Sequence, residues 1–122
     1  MKHLLSFLFV CLSTSLFAQK NEAALLKSYS KEEIAQFHQE QSMPLYDYAV
    51  DHACYLIDAP QGKDISQFPV LQVKGETISL NFTDHHLKLA DATQYFRIEG
   101  SNRILVLKSK NILSLEMKNS KR

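Results

Sequence analysis

The spacing of hydrophobic positions changes twice along the 122-residue chain. A contiguous apolar run at the start gives way to helical spacing, and past Ala53 helical spacing gives way to alternation. Each regime predicts a different element.

Ile34 and Phe37 share one face at helical spacing, directly after the capping box Ser30-Lys31-Glu32-Glu33. In such a box the serine oxygen accepts from the backbone N–H three residues on, and Glu33 reaches back to the N–H of Ser30. A helix from about Lys31 to Gln41 follows. Pro44 fits a first helical turn, where its missing N–H costs nothing. Leu45, Tyr48 and Ala49 continue at helical spacing and predict a second short helix.

The dense run Cys54-Tyr55-Leu56-Ile57, stopped by Asp58 and Pro60, has the length of a buried strand. Val70 to Val73 and Thr77 to Phe82 then alternate around Lys74-Gly75-Glu76, and Tyr95 to Ile98 and Arg103 to Leu107 alternate around Glu99-Gly100-Ser101-Asn102. Both pairs predict hairpins. Leu87-Lys88-Leu89 suggests a further short strand, and Ile112 to Met117 fits either a final strand or a helical turn. The expected fold is α+β, with one or two short N-terminal helices packed on an antiparallel, mostly meander sheet of about five to six strands. Its inward set would be Ile78, Leu80, Phe82, Phe96, Ile98, Ile104 and Val106. The other face would be left to water or to a partner.

The contiguous run lies in "MKHLLSFLFVCLSTSLFAQK", where Lys2 and His3 precede apolar residues from Leu4 to Leu12 and small residues follow. That is the three-part layout of a cleavable secretory signal, too short to span a bilayer of about 30 Å. The stretch resembles bacterial export signals ending Phe-Ala-Gln, which implies cleavage after Ala18, with a cut after Ser15 as the alternative because Leu16 is large. Cys11 invites a lipoprotein reading, but Val10 stands where such sites need a small residue. Residues 1–18 are therefore expected to leave, and residues 19–122 to form one soluble exported domain, periplasmic or extracellular, with no transmembrane segment.

Loss of Lys2 leaves 13 basic and 13 acidic side chains, so no overall field invites nucleic acid. The balance hides an asymmetry. Between Lys31 and Asp64, seven acidic residues face Lys31 and Lys63. From Gly100 onward, six basic residues face only Glu116. Two solvated faces that attract each other weakly explain this, and the functional reading is a basic C-terminal segment that docks a partner.

With Cys11 removed only Cys54 remains, so an internal disulfide is impossible and the core alone must stabilise the fold. No phosphate-binding glycine loop, G-x-S-x-G elbow, H-E-x-x-H, C-x-x-C or EF-hand loop is present. Metal binding or thiol chemistry would need His52, Cys54 and His85 or His86 to converge, with His38 and Asp84 as further donors. Adjacent histidines on a strand point to opposite faces, and Cys54 sits in the most apolar run of residues 19–122, where a thiol behaves as a small hydrophobe. Asp47 and Asp51 stand one helical turn apart, as acid and base might in a glycosidase, but a solvated helix face accounts for them. Tyr46, Tyr48, Tyr55 and Tyr95 with Phe96 read as core edge and sheet rim. Asn81-Phe82-Thr83 matches a glycosylation sequon that has meaning only in a eukaryotic source.

These features point to an exported, non-enzymatic domain without a cofactor. It would bind a protein partner, an envelope component or a small ligand through a sheet face, an edge strand or the basic C-terminal segment. The competing reading is a small hydrolase or metal-binding protein built on His52, Cys54 and His85 or His86.

Overall fold

A computed structural model describes residues 21–73 and 77–120. In chain order the elements are α1 (Glu22–Leu25), α2 (Lys31–Gln39), α3 (Met43–His52), β1 (Cys54–Asp58), β2 (Val70–Leu71), a 3-10 turn (Phe82–His85), β3 (Gln94–Ile98), β4 (Arg103–Leu107) and α4 (Lys110–Ser120). The α+β class holds. No described helix is long and apolar enough to cross a membrane.

The two expected helices form as their local signals dictate. At α2 the capping box closes, with Glu33 N–H donating to Ser30 Oγ at 3.1 Å and Ser30 N–H donating to Glu33 Oε1 at 2.9 Å. Pro44 lies in the first turn of α3. Ile34 and Phe37 are buried, as their spacing requires.

The sheet departs from the expected meander. Among the described residues it has four strands in the order β1-β4-β3-β2, and it is mixed. β3 and β4 form the second expected hairpin, Gly100 taking φ +72° in its loop, and β1 pairs antiparallel with the far side of β4. The first expected hairpin does not form. Its loop Lys74-Gly75-Glu76 lies outside the described residues, Val70–Leu71 runs parallel to β3, and residues 77–81 join no strand. Instead Asn81 Oδ1 accepts from the N–H of Thr83 at 3.0 Å and from its hydroxyl at 2.8 Å, starting the 3-10 turn. Local capture by an Asn side chain outcompetes the ladder there. Leu87-Lys88-Leu89 is likewise not a strand, and the final segment is an eleven-residue helix.

Strand alternation and register sort the side chains. Cys54, Leu56, Phe96, Ile98, Leu105 and Leu107 face the helices and join the core with Leu25, Tyr29, Ala49 and Leu113. Tyr55, Ile57, Tyr95, Arg97, Ile104 and Val106 face the other way. The expected inward set therefore mixed two faces: Phe96 and Ile98 lie under the helices, whereas Ile104 and Val106 are buried on the outer side. Ile78 is half-buried against the core, and Leu80 is exposed.

Under the helices, aromatic rings fill the space between α2, α3 and the 3-10 turn. Phe37 stacks on Tyr46 with centroids 3.7 Å apart, and Tyr29 meets Phe37, Tyr46 and Phe82 edge-on. At the other end α4 is tied down by Glu116, which accepts from Lys108 Nζ at 2.8 Å and from the Tyr48 hydroxyl at 3.2 Å. The segregated charges do not meet: among the described residues no ion pair joins the 31–64 segment to the one after Gly100.

Candidate functional site

The outer sheet face carries the densest exposed aromatic surface. Register places Tyr55, Val106 and Tyr95 abreast on β1, β4 and β3. Val106 is fully buried, while the tyrosines that flank it are 43% and 39% exposed. The two tyrosines thus stand part-exposed on either side of a valine that is closed to solvent. Lys108 Nζ stands 5.7 Å above the Tyr55 ring centroid, a cation–π arrangement that fixes the ring's outer edge.

Residues 59–69 leave β1 and fold back over this same face before reaching β2. Phe68 stacks on Tyr95 with centroids 5.3 Å apart. Arg97, pointing outward from β3, donates from Nε to Phe68 O at 2.9 Å and from Nη2 to Ser66 O at 3.1 Å. A guanidinium with two carbonyls in its fork thus clamps the crossing segment. Asp64 reinforces the bend by accepting from Ser66 N–H at 2.9 Å. Hydrogen bonds from Ser66, with Arg97 nearby, hold the Asp64 carboxyl below the usual carboxylate range.

Between segment and sheet lies a cleft of about 230 Å³ lined by Ile57, Lys63, Asp64, Phe68, Tyr95 and Ile104. It is apolar at the floor and charged at the rim. That combination gives space for a bulky apolar or aromatic group.

The residues proposed for metal or thiol chemistry are held by separate partners. His52 ends α3, exposed, with its ring stacked on Tyr48 at 4.2 Å between centroids. Cys54 begins β1 and is buried, and burial pushes its thiol up to about 12. A thiol so placed is protonated at neutral pH and a poor nucleophile. His85 Nε2 donates to Ser79 O at 2.8 Å. His86, at φ +57°, donates from Nδ1 to Lys27 O at 3.0 Å. His38 pairs with Glu22. Among the described residues no three His, Cys, Asp or Glu side chains are grouped to hold one ion.

Ser79, Asp84 and His85 have the composition of a hydrolase triad but not its geometry. The Ser79 hydroxyl donates to Asp84, and the imidazole reaches only the Ser79 carbonyl. The hydroxyl proton is held by the carboxylate, and no imidazole stands at Ser79 Oγ to relay it as a triad requires. Asp84 also accepts from Lys27 Nζ at 2.7 Å, and these two donors hold its carboxyl below the usual range. The cluster fastens the 3-10 turn to the end of α1. Asp47 and Asp51 sit on α3, where Asp51 is exposed and the Asp47 carbonyl accepts from Asn21 Nδ2 at 3.1 Å.

Sequence reasoning missed the crossing segment. Its one local signal is Ile65 and Phe68, two large apolar residues between Pro60 and Pro69. Against known proteins, the chain matches no family model, no curated protein and no solved structure.

Proposed function

We propose that this protein is an exported, non-enzymatic binding domain whose outer sheet face receives a protein partner. The observation that supports this most directly is the row Tyr55, Val106 and Tyr95, half-open to solvent and continuous with Phe68 and the Ile57–Ile104 cleft. Tyrosine offers a large contact area at low conformational cost and is enriched at interface cores. A rigid strand backbone beneath and a clamped segment beside it present these rings with little left to order on binding. The apolar leader from Leu4 to Leu12 supports the exported setting.

The test is site-specific photocrosslinking in the source cells, with a photoreactive residue in place of Tyr95. Leu115, 60% exposed on α4, serves as the control position. One discrete protein adduct from position 95 and none from position 115 is the expected result. Adducts from position 115 alone, or none at position 95, would overturn the outer-face reading.

A further inference from the structure

The two edges of the sheet are built differently. β2, at one edge, is two residues long, and within it only Val70 directs its backbone groups away from β3, because the Leu71 carbonyl accepts from Glu99 N–H. A short strand is a common way of blunting an edge. β1, at the other edge, runs for five residues, Cys-Tyr-Leu-Ile-Asp, without proline, glycine or lysine. Among the described residues, one edge offers a further strand a single outward-facing residue and the other offers three.

The ladder fixes which groups β1 presents. Lys108 N–H donates to Ala53 O at 2.9 Å, and Ala59 N–H donates to Asn102 O at 2.8 Å. Antiparallel pairs alternate in hydrogen bonding, so Tyr55 and Ile57 direct their backbone groups to Val106 and Ile104 of β4. Cys54, Leu56 and Asp58 direct theirs away from the sheet. Among the described residues no backbone group meets them.

We propose that β1 pairs with β1 of a second copy, antiparallel about a two-fold axis at Leu56, joining the two four-stranded sheets into one. The sequence of β1 is self-complementary in this register. Leu56 meets Leu56 of the second copy, Tyr55 lies opposite Ile57, and Cys54 lies opposite Asp58. Each strand's one charged residue stands at the far end from its counterpart, so no like charges face each other. The three outward-facing pairs each exchange two backbone hydrogen bonds. A two-fold axis normal to the sheet keeps all helices on one side and all outer tyrosines on the other. This inference stands independently of the outer-face reading.

Sedimentation of the purified protein across micromolar to millimolar concentrations, with amide hydrogen exchange read by NMR, tests it. A concentration-dependent dimer is expected, in which the Leu56 and Asp58 amides become protected as the dimer forms. The Tyr55 and Ile57 amides are protected at every concentration. Leu56→Pro removes the central outward donor without touching a β1–β4 bond, and weakens the dimer by roughly tenfold or more. A monomer at all concentrations, or a dimer in which the Leu56 amide exchanges as fast as in dilute protein, overturns the proposal. The exchange pattern of the unsubstituted chain decides the matter even where the proline variant does not fold. A foreign strand as the natural occupant would show as the first of these overturning results.

Discussion

The backbone N–H of Leu89 donates to the Tyr29 hydroxyl at 2.8 Å, across 60 positions of sequence. Both residues are buried, and the Tyr29 ring stands at the centre of the aromatic cluster between α2, α3 and the 3-10 turn. One side chain therefore packs a core and satisfies the backbone of a segment that belongs to no strand.

Tyr29→Phe keeps the ring and deletes the acceptor, leaving a buried N–H unpaired. The expected loss is about 1–3 kcal/mol of unfolding free energy. Urea denaturation measures it, and a loss near zero would mean that water reaches the Leu89 amide.

Cys54 gives stability a basic limit. Its thiol is raised from 9.0 to about 12 in the fold, so below the lower value both states carry the proton and the thiol adds no pH dependence. Between the two values the unfolded chain ionises first, and stability falls as pH rises. Burial raises Tyr29 as well, which steepens the decline. Denaturant midpoints measured from neutral pH upward fall for the native chain and fall less for Cys54→Ala.

Asp84 acts at the opposite end of the pH scale. Its carboxyl is held low by Lys27 and Ser79, so its contribution is present above the ordinary carboxylate value and disappears as pH falls through the lowered one. The pair is half-exposed, which limits the contribution to about 1 kcal/mol or less. Asp84→Asn lowers stability at neutral pH, and the difference from the native chain closes on acidification.

Removing the Ser30 cap tests the most local feature of the fold. Ser30→Ala is expected to cost about 1 kcal/mol in a thermal melt. With Glu33→Ala the loss is less than additive, because both side chains serve one box.

Arg97→Met unclamps residues 59–69 by removing the donors to Ser66 O and Phe68 O. Trypsin cleavage after Lys63 then accelerates, while core unfolding changes little. Unchanged cleavage would show that Phe68 stacking on Tyr95 suffices to hold the segment.

The elements legible in the sequence are those whose signals are local. Ser30 and Glu33 announce α2, Pro44 announces α3, and alternation around Gly100 announces the β3–β4 hairpin. Thr77 to Phe82 alternates equally well and forms no strand, because pairing is a non-local competition and Asn81 captures the turn first. Ile112 to Met117 was ambiguous between strand and helix. The structure settles it as helix, with the Ser109 hydroxyl accepting from Ile112 N–H at 3.3 Å at the start of α4. The outer tyrosine face was out of reach for the same non-local reason. Tyr55 and Tyr95 read as rim residues until the register of β4 set them on either side of Val106. Cys54, judged an inert thiol from its apolar neighbours, is buried and protonated, since burial of a dense apolar run needs no knowledge of topology.

β4 is the strand through which β1 and β3 are joined, and it is synthesised after all the others. Until Leu107 has left the ribosome, β1 has no neighbour in the sheet, and the helices ahead of it lack the floor formed by Leu105 and Leu107. Pairing residues 54–58 with 103–107 closes a long loop, so this part of the sheet can form only late. The nascent polypeptide therefore lacks a closed sheet, and the face on which its first three helices pack, through most of its translation.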